Sequence, residues 1–557
     1  MNGIKRFVVS ASYLACVSIL LRAVSVSFNA YVSTKVGAEG MGLFSLVMSV
    51  YSFAVTLACS GINLASTRLT AKILSSANAE NIRSESRKLM RSCAAYSLFF
   101  GTAAGAALFF GSGIIGEKLL CDARTVPSLK ALALSLPAIS LSTALCGYFT
   151  GARRVSRNAA VMIAEQANKI LLITAMLVLF APRGLQWACF AVVAGGSVSE
   201  GFSLAFSYLF YRADMCRLKR GRNTFSANVK NGLEDPSEIK NPAERDNVSR
   251  ASDKAVRHKL FSRFPVFGEI CDIAIPVALG AYIRQGLVML EHAAVPWGLR
   301  RFGKSSSDAL SSYGILHSMA LPVVLSAVWA VSSTVCIGAF TSLLVPEMTS
   351  FAERGESGRA LSAARRVIST TVFFGIGAAG IFMTFWYELG MSVYSSAEAG
   401  RMIRLLAPVL PMMFLDTTVD AMLKGLGEQV YCVKVNIADA VTSLFLVLFL
   451  VPRAGIFGYI AVIYVSEAVN ASLSVSKLCR VVGLGMDLTR FIALPLISLG
   501  SAFSFYGLFS EYIFMFFGFS DGSLGIIVYF IIYCLTGAIL TKLLKHAKKS
   551  QTASPPL

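Results

Sequence analysis

Three observations predict a polytopic α-helical membrane protein. Apolar segments recur from one end of the chain to the other, each close to the roughly 20 helical residues that cross about 30 Å of hydrocarbon. Hydrophobic residues make up 55% of the 557 and charged residues only 15%, a balance that no soluble globular domain shows. Arg and Lys gather in alternate loops, as the positive-inside rule requires of a multi-pass chain. Leu-, Ala- and Phe-rich runs of this length favour helices, and the alternating pattern of a membrane β-barrel is absent.

Fourteen spans are expected, and each has a local reason. The first, 7–32, follows Lys5 and Arg6 and contains Arg22; without a small-residue cleavage site it reads as a retained helix, not a signal peptide. The second, 41–64, opens on VGAEGMGLF and runs out into SGINLASTRLTAK. Arg83, Arg87, Lys88 and Arg91 stand before the third, 93–115. The fourth, 129–150, closes on GYFTG, and Arg153, Arg154 and Arg157 precede the fifth, 159–180, with its Glu165, Gln166 and Lys169. The sixth is 187–211. Residues 212–264 are polar and lack apolar periodicity, so they read as a flexible linker. The seventh, 266–296, contains Arg284, Glu291 and His292, and the eighth, 313–345, contains His317. Arg354, Arg359, Arg365 and Arg366 lead into the ninth, 367–391. The tenth, 403–423, carries Asp416 and Asp420 and ends in LKGLG; the eleventh, 433–451, carries Asp439; the twelfth, 456–476, carries Glu467. Two more follow at 491–510 and 524–543, and a Lys-rich tail ends the chain.

The linker leaves six spans before it and eight after, and the two sides echo each other in order. SGINLASTRLTAK after span two answers LLVPEMTSFA after span eight, and GYFTG after span four answers LKGLG after span ten. The expected organisation is therefore a six-helix lobe (1–211), the linker (212–264), a second six-helix lobe (265–480), two additional helices (481–545) and a tail (546–557), the lobes being parallel repeats. The net charge of +20 is accounted for by the alternate loops, which place both termini in the cytoplasm and make nucleic acid an unneeded partner. The twelve Cys are scattered without a Cys-x-x-Cys pair and read as packing residues.

The motifs VGAEGMGLF, SGINLASTRLTAK, GYFTGARRVSRNAAVMIAEQANKI, LVPEM, LKGLGEQ and GIFGYIAVI, in this order and spacing, resemble the stage V sporulation protein B-like oligosaccharide flippases. These are relatives of the lipid II flippases, in the superfamily that also holds multidrug exporters. The resemblance covers nearly the whole chain. It implies a cationic cavity between the halves that receives a lipid-linked pyrophosphate saccharide while the lipid tail stays in the bilayer, along a groove made with spans thirteen and fourteen. It implies no covalent chemistry, and no nucleophile–base constellation, nucleotide loop or metal spacing stands out. No cofactor is expected, and cell-envelope synthesis proteins stay open as partners.

The membrane-embedded charges are the candidate site, because each needs a partner, a wet cavity or an exit to the surface. Arg22 matches a basic residue the family carries there, and guanidinium groups suit a pyrophosphate that must leave water. Glu165 and Lys169 are one turn apart and can pair on one face, either toward the cavity or hydrated near the cytoplasmic end. Arg284 and Glu291 are two turns and about 10 Å apart on one face, so they line the cavity or bridge to other helices. His317 is either a titratable contact or a packed ring. Asp416, Asp420 and Asp439 are the candidates for Na⁺ or H⁺ coupling, against helix-end carboxylates facing water. Two departures from the family pattern, Asn29 in place of a basic residue and a long span eight, allow a changed headgroup. The runner-up function is a cation-coupled drug exporter, which would call for a carboxylate-dominated cavity.

Overall fold

The computed structural model describes residues 2–76, 82–152, 154–230, 265–326, 345, 348–485, 489–517 and 522–553. Among these the regular structure is helical throughout. The helices are α1 (Asn2–Cys59), α2 (Ile62–Ser76), α3 (Ile82–Ile114), α4 (Val126–Gly151), α5 (Val155–Phe180), α6 (Leu185–Lys230), α7 (Pro265–Arg301) and α8 (Ser306–Gly314). They continue with α9 (Ser357–Thr384), α10 (Trp386–Tyr394), α11 (Ala397–Leu406), α12 (Leu410–Gly425), α13 (Gln429–Val482), α14 (Leu494–Phe517) and α15 (Gly522–Ala553). Part of the eighth span, 327–344, lies outside the described residues.

Twelve described helices are long and apolar enough to cross a membrane. Two of them, Ala23–Leu74 and Gln429–Val482, run for 52 and 54 residues, or about 80 Å at 1.5 Å per residue, more than twice the hydrocarbon thickness. The first leaves helical geometry at Gly37 (φ 75°, ψ 172°) and again at Ser60–Gly61 (φ 43° and 72°), the second at Gly455 (φ 61°, ψ −137°). Counted as two crossings each, they restore the fourteen expected spans.

At Gly455 the break is a reversal. A Cβ on Gly458 would lie 2.6 Å from the Leu450 carbonyl oxygen, whereas eight residues of straight helix span about 12 Å. The two arms of α13 are tied in register: Ser466 Oγ donates to Asp439 Oδ1 at 2.5 Å, the Tyr431 hydroxyl donates to the Leu473 carbonyl at 3.2 Å, and Lys477 Nζ is 2.9 Å from Glu428 Oε1. An alanine at 455 would have to hold a backbone conformation nearly confined to glycine, with its Cβ 3.0 Å from the Phe302 ring, at a cost of about 1–3 kcal/mol. Purified Gly455→Ala should melt below wild type, while Gly485→Ala, where a Cβ meets open space, should not. Equal melting of both would show that the reversal does not depend on glycine.

The chain forms two compact units, residues 1–46 with 290–557, and residues 47–289. They are not the sequence halves 1–211 and 265–480, because the chain changes unit inside the continuous helices α1 and α7. Within each unit, however, the sequence echo becomes the same contact. In the second unit Thr67 Oγ1 donates to the Gly147 carbonyl at 3.2 Å, and a Cβ on Gly147 would sit 2.7 Å from the Asn63 oxygen. In the first, Thr349 Oγ1 donates to the Gly425 carbonyl at 2.9 Å, and a Cβ on Gly425 would sit 2.7 Å from the Val345 oxygen. In both, a threonine meets a glycine that lets two backbones approach, the packing that apolar surroundings favour.

One expectation is corrected. Residues 212–230, read as the start of a flexible linker, continue α6 as helix. RADMCRLKR is rich in good helix formers and has no Gly or Pro before Gly221, so nothing stops the helix where the apolar pattern ends. The rest of the linker lies outside the described residues. The additional crossings pack on α9: Tyr533 donates to the Phe373 carbonyl at 2.6 Å, and the small-residue run Gly375–Gly380 seats Tyr529 and Tyr533.

Candidate functional site

The structure groups the embedded charges into two foci, one in each unit. In the second unit the focus is the α5–α6 seam. Gly195 packs so closely on α5 that a Cβ would lie 2.9 Å from Ile173 Cα, which brings the polar residues of the two helices together. Ser203 Oγ donates to Glu165 Oε2 at 2.8 Å, and Ser199 Oγ donates to the Glu165 carbonyl at 3.4 Å. Glu165 and Lys169 share a helix face as their spacing predicts, yet among the described residues the carboxylate's partner is Ser203 and not Lys169. Lys169 instead lies along Gly196. Glu200, which sequence reasoning passed over, is within electrostatic reach of both Glu165 and Lys169. The side-chain nitrogen of Asn168 is buried without a hydrogen-bond partner. The seam thus holds two carboxylates, one ammonium and an unused amide donor.

In the first unit the focus lies on the C-terminal part of α7, the turn after α8, and α13. Ser443 and Asp439 on α13 are both within electrostatic reach of Glu291. His292 Nδ1 is 3.1 Å from the Tyr313 hydroxyl. His317 packs edge-on against His292 with ring centroids 4.4 Å apart, and 5.2 Å from the Tyr313 ring, so its surroundings are those of a packed ring. His317 belongs to a π-helical turn, Ile315–Ala320, a wider turn that leaves carbonyls free for other donors. Asn29 Nδ2 donates to the Ser318 carbonyl at 2.7 Å. The Asn29 departure from the family pattern is thereby given a structural role, as the donor for that turn.

Arg284 belongs to the second unit. It is exposed and forms no ion pair with any described residue. It lies near the middle of α7, about 28 Å from Pro265 and about 25 Å from Arg301 at 1.5 Å per residue. Arg22 lies in helical α1, but its side chain is outside the described residues. Of the proposed coupling carboxylates, Asp420 sits near the end of α12 with Lys424 Nζ at 3.2 Å and Asn436 Nδ2 at 3.5 Å, Asp416 is half-buried one turn before it, and Asp439 joins the Glu291 focus. Among the described residues no group of three or more His, Cys, Asp or Glu side chains is spaced to hold a metal ion.

With this geometry in place, the chain compares with known proteins as follows. The polysaccharide biosynthesis protein family matches residues 7–234. Stage V sporulation protein B of Bacillus subtilis (strain 168) is 20% identical over 458 residues, 82% of this chain and 80% of that protein. The lipid II flippase MurJ, in an inward closed conformation, superposes with a TM-score of 0.64 at 10% identity, over 96% of this chain and 99% of that one. A multidrug resistance MATE family transporter in an inward-facing conformation gives 0.58 at 13% identity, over 83% and 94%. The solved structures share the fold, and the similarity to stage V sporulation protein B extends over most of both chains. The chain is a multi-pass membrane protein with the fold of these solved structures, and over most of its length it is similar to stage V sporulation protein B.

Proposed function

We propose that the chain is a flippase that moves a polyprenyl-pyrophosphate-linked saccharide from the cytoplasmic to the outer leaflet of the bacterial cytoplasmic membrane by alternating access, with both termini in the cytoplasm. The observation that carries this reading is Arg284, an exposed guanidinium midway along a membrane-spanning helix with no carboxylate partner among the described residues. A cation left uncompensated at that depth is too costly in hydrocarbon and has to open on water. Its donor fork matches the oxygens of a phosphate, and charge-assisted bonds there replace the hydration a pyrophosphate loses on leaving water. Arg22, on the first span, is a further candidate for contacting the pyrophosphate-linked substrate.

The two acidic foci have other tasks in this reading. Glu165, Glu200 and Lys169 offer acceptors and a donor to saccharide hydroxyls. Glu291 and Asp439, within electrostatic reach of each other on α7 and α13, are assigned in this reading to coupling with Na⁺ or H⁺, a role shared with Asp416 and Asp420. The polyprenyl tail stays in lipid. The same acidic foci, together with the fold shared with the MATE family transporter, also support a second reading, a cation-coupled drug exporter.

One binding measurement separates the two. Purified protein in neutral detergent should bind a fluorescent polyprenyl pyrophosphate saccharide at least about tenfold more tightly than a lipophilic cation, a difference of about 1.4 kcal/mol. Tighter binding of the cation would reject the flippase reading in favour of the exporter.

A further inference from the structure

A second cationic site lies away from these foci, wholly inside the second unit. A cavity of about 770 Å³ opens between α3, α4 and α6, lined by Arg87, Arg91 and Arg212 with Met90 and Leu145 beside them at one end, and by Leu204 and Ala205 among others further in. Its polar end lies where α3 begins and α4 ends: Arg87 is five residues into α3, and Leu145 is six residues before the last residue of α4. At that level arginines reach the headgroup zone while Ala94, Leu141 and Gly201 lie deeper along the same helices. The cavity is therefore graded, cationic at the membrane surface and apolar toward the interior.

The cations converge and are uncompensated. Tyr211, on the cavity wall, is within electrostatic reach of both Arg87 and Arg91. None of the three arginines forms an ion pair with a described residue. The carboxylate nearest in sequence to Arg212, Asp214, is buried and already engaged by Arg157 and, at 3.1 Å, by Arg154. Three guanidinium groups over an apolar cleft fit an anion that carries hydrocarbon chains.

We propose that this cavity binds an anionic phospholipid of the surrounding bilayer, its phosphate held by Arg87, Arg91 and Arg212 and an acyl chain lying between α3, α4 and α6. The site is independent of the transport reading, because it uses no residue assigned to the transported substrate. Each basic residue beside an anionic headgroup is worth about fivefold in affinity, so the three together should give roughly a hundredfold.

The full chain, purified in neutral detergent, is titrated with phosphatidylglycerol and with phosphatidylcholine of the same acyl chains, and bound lipid is counted by native mass spectrometry. Wild type should retain phosphatidylglycerol in preference. The triple variant Arg87→Gln/Arg91→Gln/Arg212→Gln should lose that preference by roughly a hundredfold while binding phosphatidylcholine as before. Ala205→Trp, which fills the apolar end and leaves the arginines in place, should also release phosphatidylglycerol. If the triple variant does not survive purification, Arg212→Gln alone is read on the same titration, with about a fivefold loss expected. Equal phosphatidylglycerol retention by wild type and the arginine variants overturns the proposal. So does displacement of the lipid by inorganic phosphate at equal concentration, which would make this a free-phosphate site, or preferential displacement by polyprenyl phosphate, which would assign it to the transported lipid.

Discussion

Arg284→Ala is expected to weaken binding of a polyprenyl pyrophosphate saccharide by about tenfold or more, since each lost charge-assisted hydrogen bond is worth roughly 1.5–3 kcal/mol. Lysine at this position should restore only part of the affinity, because it keeps the charge but lacks the planar fork that meets two phosphate oxygens at once. Stability should hardly change: the side chain is exposed and has no carboxylate among the described residues to leave unpaired. The comparison therefore reads binding without a folding artefact. Titration of wild type, Arg284→Ala and Arg284→Lys with the same fluorescent lipid decides it, and equal affinities would assign Arg284 no part in holding the anion.

Asp214→Ala should cause the largest loss of stability among the charged positions. Its carboxylate is fully buried on α6 and engages Arg157, which is 13% exposed, and Arg154, which is 33% exposed. Removing the carboxylate leaves two guanidinium groups facing each other in a poorly hydrated place, and breaking a buried pair in this way costs about 3–5 kcal/mol. Arg157 also donates to the Phe210 carbonyl at 3.2 Å, so it cannot simply swing out to water without giving up a second bond. Thermal melting of the purified protein checks the expectation, with Arg154→Ala costing less because that side chain is the more exposed of the two. Unchanged melting of Asp214→Ala would mean that the desolvation penalty of the triad cancels its attraction.

The fold was legible because its governing signal is additive. Every span announces itself by twenty or so apolar residues, whatever its neighbours are, and fourteen crossings could be placed before any contact was known. Even the repeat was readable, because the Thr–Gly contacts at Thr67–Gly147 and Thr349–Gly425 depend on residues that punctuate the motifs themselves. The sites were less legible, because what an ionisable side chain does is decided by residues distant in sequence. Glu165 looked like the partner of Lys169 one turn away, but Ser203, 38 residues on, takes the carboxylate. Glu291 and Asp439 are separated by 148 positions, and no periodicity links them. Glu200 had a signal that went unused, a lone acidic residue inside the apolar run of span six. The end of α6 is hidden for a different reason: the loss of apolar periodicity marks where the membrane ends and not where the helix ends, because residues 212–220 are sound helix formers outside a membrane.

The three cross-links of the α13 hairpin have a mechanical implication. Asp439–Ser466, Tyr431–Leu473 and Glu428–Lys477 are each symmetric about Pro452 and Arg453, like rungs of one ladder. Sliding one arm past the other by a single helical turn, about 5.4 Å, would break all three rungs together, with no intermediate register in which some survive. Shear inside this hairpin is therefore cooperative and steep in energy, and gentler displacements have to be taken up at its borders. The hairpin behaves as a strut: amide hydrogens along both arms of 429–482 should exchange as one block, slower than those of helices without such rungs.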